Sequence, residues 1–136
     1  GELSLAGVED EYVAELNERR AAEGAGTLAR NATSDEAAAY YNKATVAAVA
    51  GDGAGPDREA FGRFALTCDR PSVVSYRVAP ERTGGSVSDF ENETALATAL
   101  VDSYVERGNA FRGGDTVGVD VHVAPDDTVF VTYVVC

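Results

Sequence analysis

The sequence contains no methionine, no tryptophan, one histidine and one lysine among its 136 residues. Because His122 is the only imidazole, acid–base, triad or histidine–metal chemistry would have to involve it. No apolar stretch reaches the 18 residues typical of a membrane helix, so we expect no membrane span within this segment. The few basic residues form no positive stripe, which argues against nucleic acid as a partner.

Acidic residues outnumber basic ones by 23 to 11, which gives a net charge of -12. They are spread along the whole chain, so the entire surface is expected to be acidic and to repel itself at low ionic strength. In molar salt the Debye length falls to about 3 Å and most of this repulsion is screened. The composition therefore predicts a halophilic protein that works in strong brine.

The two cysteines, Cys68 and Cys136, are too far apart in sequence for a CxxC redox centre and too few for a cysteine metal site. A disulfide between them would fit an oxidising exterior, and two buried free thiols are the alternative. Asn31 and Asn92 each begin an Asn-X-Thr glycosylation sequon. Together these features predict a secreted or surface-attached glycoprotein.

Three stretches have the apolar spacing that is typical of helices. They run from about Val8 to Ala22, from Thr33 or Ser34 to Ala50, and from about Glu91 to Glu106, with a shorter helical segment expected from Asp57 to Phe64. The second is apolar on nearly all sides from Ala37 onward, so we expect other elements to cover it. Arg19 and Arg20, the only adjacent basic pair, are expected to lie on a solvated helix face.

The end of the chain has the alternation of a β-hairpin. Valines from Val117 to Val123 alternate with Gly118, Asp120 and His122, and a Pro-Asp-Asp turn leads into a second apolar run from Thr128 to Val135. A further strand is expected over Ser72–Val78. Helices followed by a strand, a helix and a hairpin predict a single domain, 1–136, of the α+β class with an antiparallel sheet.

Several groups of residues occur in an order and spacing that recur in one family of secreted proteins. They are Leu16–Arg20, Gly24, Leu28, Ser103, Arg107, Asn109, Gly118–Val121 and the terminal Cys136. In this arrangement the chain resembles the CAP superfamily, named for cysteine-rich secretory proteins, antigen 5 and pathogenesis-related proteins, and its ending is similar to that of salt-loving archaeal members. The resemblance implies a three-layer α-β-α sandwich with a small antiparallel sheet.

The resemblance also implies a cavity with two histidines and two glutamates that bind a divalent metal. The positions of the histidines fall on Tyr41 and Glu106, and no glutamate lies between Glu59 and Glu81, where the family has one on its first strand. A phenol and a lone carboxylate cannot replace two imidazoles at a zinc site. We therefore expect no bound metal and no cofactor.

If the resemblance holds, Tyr41, Tyr104 and Glu106 would line one cleft. Aromatic walls would suit a ligand or a partner side chain. Alternatively, the tyrosines fill the former metal cavity and close it. Recognition would then depend on loops, notably Gly51–Gly55 and Thr83–Ser88.

Two classes of function follow from these residues. The first is a non-catalytic extracellular or cell-surface module that binds a protein, glycan or lipid. The alternative is a metal-dependent or hydrolytic protein with a site rebuilt around Glu106, Asp102 and His122. A triad of Ser103, His122 and Asp120 can also be written, but the chain has no G-x-S-x-G turn to present a nucleophile.

Overall fold

The computed structural model describes residues 3–104 and 113–136. The helices in these ranges are α1 (Leu5–Ala22), α2 (Ala32–Val49), α3 (Arg58–Phe61), α4 (Pro80–Thr83) and α5 (Glu93–Ser103), with a 3-10 turn at Val87–Asp89. The strands are β1 (Ala29–Arg30), β2 (Ser72–Val78), β3 (Thr116–Val123) and β4 (Val129–Val135). The predicted α+β class is thus confirmed.

The four strands form one sheet in the order β1-β3-β4-β2. β4 pairs antiparallel with both β2 and β3, as the predicted hairpin requires, whereas β1 pairs parallel with β3. The sheet is therefore mixed, and the prediction of a purely antiparallel sheet was wrong in this respect. β1 was missed because two exposed residues carry no apolar alternation.

Helices cover both faces of the sheet. On one face α1 packs against α5 and β3, and the Tyr12 ring lies 5.9 Å from the ring of Tyr133 on β4. On the other face α2 crosses β3 and β4, where the Asn42 amide donates to the Phe130 carbonyl at 3.1 Å. Neighbouring residues on β4 point to opposite faces, so the layers are helix, sheet and helix.

The α1/α5 face holds the apolar core. Val119, Val131 and Tyr133 are almost fully buried there, together with Leu96 and Leu100 of α5. The α2 face is more polar, because Ser34, Asn42 and Thr132 are all fully buried against the sheet. The two faces of one sheet therefore differ in chemistry.

The prediction that α2 would be sandwiched between other elements, rather than lie on a surface, was wrong. Its fully buried residues are Ser34, Ala37, Ala38 and Asn42, all toward the sheet. The side chain of Val49 at its end remains 51% exposed. Much of the helix consists of alanine, whose small side chain is tolerated at half-exposed positions, so apolar composition alone overstated its burial. Asn31, rather than Thr33 or Ser34, caps the helix by accepting from the Ser34 backbone N–H at 2.9 Å.

β1 pairs with only two residues of β3, and side chains bind the rest of that edge of the strand. Asp35 Oδ1 accepts from the Val119 N–H at 2.9 Å, and Glu9 Oε2 accepts from the Val121 N–H at 2.9 Å. These carboxylates come from α2 and α1, on opposite faces of the sheet. Backbone donors that a longer β1 would have paired are thus satisfied by two helices.

Arg20 does not lie on a solvated face, as its neighbour Arg19 does. It is 1% exposed, and its guanidinium donates to the Gly26 carbonyl at 2.8 Å and the Gly113 carbonyl at 2.9 Å. Burial lowers the pKa of this guanidinium, which carbonyl oxygens stabilise. The prediction failed because one of the two carbonyls, that of Gly113, lies 93 residues away in the sequence and local spacing does not reveal it.

A disulfide joins Cys68 and Cys136, whose Cα atoms are 5.5 Å apart. The predicted bridge is confirmed, and the alternative of free thiols is excluded. It links the segment before β2 to the residue after β4. These strands are neighbours in the sheet, so the bridge closes a long loop without reaching across layers.

Candidate functional site

Of the predicted cleft residues, Tyr41 and Tyr104 do not come together. Tyr41, on α2, packs edge-on against Phe61 of α3, with ring centroids 5.9 Å apart. Tyr104, after α5, stacks on Tyr76 of β2 at 4.8 Å, on the α1/α5 face. The sheet therefore separates Tyr41 from Tyr104. Glu106 lies outside the described residues.

Ser103 is also separated from Asp120 and His122, the other two members of the possible triad. Ser103 Oγ donates to the Leu100 carbonyl of its own helix at 2.8 Å. Asp120 and His122 lie on the α2 face, where Asp120 Oδ2 accepts from the Asn42 amide at 3.0 Å. His122 is exposed, with its ring 6.4 Å from that of Phe130. The geometry assembles no nucleophile–base pair from this set.

The alternative site around Asp102 and His122 is divided in the same way. Asp102 forms an ion pair with Arg19 of α1, on the face opposite His122. Within residues 3–104 and 113–136, no three histidine, cysteine, aspartate or glutamate side chains are grouped so that they could hold a metal ion. In the same ranges, no helix combines the length and apolarity needed to cross a bilayer.

An open groove of about 630 Å³ lies between the end of α2, the end of β2, α4 and the hairpin turn. Its lining residues are Val46, Val49, Ala50, Arg77, Ala79, Arg82, Ala124, Pro125, Asp126, Thr128 and Phe130. This volume is in the range of small-ligand sites, which are commonly 300–1,000 Å³. We call this feature the hairpin groove.

Apolar side chains from three segments line most of the hairpin groove. Val46 and Val49 come from α2, Phe130 comes from β4, and Pro125 belongs to the turn. The side chain of Val49 is 51% exposed. Val49 is the last residue of α2, a helix whose main contacts with the sheet are to β3 and β4.

Two arginines and one aspartate supply the charges of the groove. Arg77 projects from β2 on the α2 side, and Arg82 lies on α4. Among the described residues, no carboxylate lies within ion-pair distance of either guanidinium, although the chain is strongly acidic. Asp126 accepts from the Thr128 N–H at 3.0 Å, and this hydrogen bonding lowers the pKa of its carboxyl. The groove therefore presents two arginines without an ion-pair partner in the described part of the chain, beside one carboxylate.

A smaller pocket of about 310 Å³ lies at the other end of β2, with Tyr41, Phe61 and Val73 in its lining. Tyr41 thus borders an opening, but on α3 rather than near Tyr104. The loop Thr83–Ser88 is held by internal hydrogen bonding, since Thr83 Oγ1 lies 3.1 Å from the Pro80 carbonyl and 2.9 Å from the Gly85 carbonyl. Of the two predicted recognition loops, Gly51–Gly55 directly follows Ala50, which lines the hairpin groove.

No protein-family model matches this chain, and no curated protein matches it.

Proposed function

We propose that this protein is a non-catalytic binding module that works outside the cell or on its surface, in strong brine. The hairpin groove is the observation that carries the proposal. It combines an apolar lining, in which Val49 is half exposed, with two arginines that have no acidic partner among the described residues. Small-ligand sites are typically concave and mostly apolar, with a few polar or charged groups, which is the composition of this groove.

The extracellular location is supported by the bridge between Cys68 and Cys136, because such bonds persist in oxidising surroundings. The sequons are compatible with modification in the folded state. Asn31 and Asn92 each cap a helix through Oδ1, whereas a glycan would be attached at Nδ2. Intact-mass measurement of protein purified from its own host tests this, and the bare sequence mass would contradict glycosylation.

Membership of the CAP superfamily, in a salt-loving archaeal form with a degenerate metal tetrad, is part of the proposal. The helix–sheet–helix layering agrees with what the resemblance implies. At the two histidine positions the chain has Tyr41 and Glu106. Tyr41 packs on Phe61, so its ring serves the contact between α2 and α3.

Zinc titration by calorimetry in 2 M KCl tests the hypothesis that the protein binds no metal. We expect no stoichiometric binding by the parent chain. Binding at micromolar affinity or tighter that is lost in Glu106→Ala, but kept in the exposed control Glu91→Ala, would refute the proposal. A panel of esterase, phosphatase and peptidase substrates extends the test. Turnover that His122→Ala abolishes would indicate a hydrolase.

A further inference from the structure

The structure points to a specific ligand for the hairpin groove: we infer that it binds the free C-terminus of a polypeptide whose last side chain is apolar. This inference rests on the proposed function, since it names the ligand class of that binding module. Three properties of such a terminus match the groove: an apolar side chain, a carboxylate, and a backbone N–H close to both.

The apolar part of the groove suits the last side chain. Val49 and the partly buried Val46 offer aliphatic surface beside the buried ring of Phe130, and Ala79 and Ala124 leave the space beside them open. Because Val49 is half exposed, a ligand side chain packed on it would remove apolar surface of both partners from water. The groove is open rather than a tunnel, which suits one or two residues at the end of a chain.

The two arginines suit the terminal carboxylate. A guanidinium can donate two parallel N–H bonds to one carboxylate, and such charge-assisted bonds are stronger than neutral ones. Arg77 and Arg82 are both exposed, so neither is committed to the core. Direct bonds of this kind act at contact distance, where the screening that suppresses long-range attraction in brine has least effect.

Asp126 distinguishes a peptide from a lipid anion. One of its oxygens accepts from the Thr128 N–H, and the remaining lone pairs lie at the rim of the same groove. A backbone N–H of a bound peptide could donate to this carboxylate. A fatty-acid head group has no such donor and would be repelled by Asp126, so the charge pattern favours the peptide.

Fluorescence anisotropy in 2 M KCl tests the inference with a labelled Gly-Ser-Gly-Leu peptide. The peptide with a free carboxylate should bind at least about tenfold more tightly than the same peptide with a C-terminal amide, because the charge-assisted bonds are lost. Arg77→Gln and Arg82→Gln should each weaken binding of the carboxylate form by about tenfold. The matched control is Arg63→Gln, an exposed arginine outside the groove, which should leave binding unchanged.

Several results would overturn the inference. These are equal binding of the carboxylate and amide peptides, no detectable binding of either, or equal effects of Arg77→Gln and Arg63→Gln. Tighter binding of decanoate than of the peptide, with competition at the groove, would assign the site to a lipid anion instead. Thermal unfolding of each variant checks that it is folded. The zinc and hydrolase measurements do not involve Arg77 or Arg82, so failure here would refute the ligand and leave the proposed function standing.

Discussion

Gly118 of β3 lies directly against the backbone of Ser34 at the start of α2, leaving no room for a β-carbon. Gly118→Ala must therefore move α2 away from the sheet. We expect it to lower the free energy of unfolding by at least about 2 kcal/mol, as overpacking in a dense interior does. Denaturant unfolding measures the loss. The control Gly26→Ala, where the added methyl group meets open space, should change stability by less than about 0.5 kcal/mol.

The buried amide of Asn42 is the second test of the α2 face. Its Nδ2 donates to the Asp120 and Phe130 carbonyls, and its Oδ1 accepts from Thr132 Oγ1 at 3.0 Å. Asn42→Ala removes these hydrogen bonds from a buried polar network and should cost about 2–4 kcal/mol in denaturant unfolding. Thr45→Val, which removes a hydroxyl bonded only within α2, should cost much less. Equal losses in the two variants would contradict the role assigned to the network.

The disulfide between Cys68 and Cys136 closes a loop with a sequence separation of 68. Loop-entropy arguments give it a stabilising contribution of about 4 kcal/mol. The double variant Cys68→Ser/Cys136→Ser should lose roughly this amount. Unfolding midpoints with and without reductant provide the check, since only the parent chain should respond. Two alkylatable thiols in the oxidised parent would disprove the bridge.

The Glu9 carboxyl has a pKa raised above its ordinary value, mainly because it is desolvated by burial. The hydrogen bond from the Val121 N–H and the positive charge of Arg30 lower this pKa, whereas the negative charges of Asp120 and Asp35 raise it. The pKa of Glu9 is therefore higher in the folded than in the unfolded chain. As pH rises from the unfolded pKa through the folded pKa, ionisation of this carboxyl lowers the free energy of unfolding, and the loss is complete at pH 7.

Glu9→Gln keeps an oxygen acceptor for Val121 and removes that charge. It should therefore unfold at a higher temperature than the parent at pH 7, with the difference vanishing below about pH 4, where the parent carboxyl is protonated. The exposed control Glu18→Gln removes the same charge without the burial. A Glu9→Gln protein less stable than the parent at pH 7 would contradict this account.

Salt dependence tests the halophilic interpretation of the net charge of -12. Raising KCl from 0.2 to 3 M should increase the thermal midpoint by at least about 5 °C, roughly 1.5 kcal/mol for a domain of this size, as surface repulsion is screened. Sucrose at matched osmolality strengthens burial but does not screen charge, so its effect should be smaller. A midpoint that does not change with KCl would count against adaptation to brine.

Much of the fold could be predicted because its elements carry their own periodicity. Val8, Tyr12 and Leu16 step by four along α1 and are all buried, and β2 has the bounds that its β-branched run predicts. The hairpin followed from alternating valines in β3. Local pattern determined these elements, so no tertiary information was needed.

The candidate site could not be predicted in the same way. The hairpin groove draws its lining from segments around residues 46–50, 77–82 and 124–130, and only the packing of α2 on the sheet brings them together. The resemblance alone placed Tyr41 and Tyr104 in one cleft. In the fold the sheet lies between them. The position of Arg20 was likewise predicted wrongly, because one of its carbonyl partners, Gly113, lies 93 residues away in the sequence.

The carboxylates of Asp35 and Glu9 on the edge of β3 have a consequence for how the protein avoids aggregation. An open strand edge invites pairing with another molecule, and like charge normally helps to keep acidic chains apart. Brine removes much of that electrostatic protection. By holding the N–H groups of Val119 and Val121, the two side chains block the edge through direct hydrogen bonds, a form of protection that does not depend on long-range repulsion.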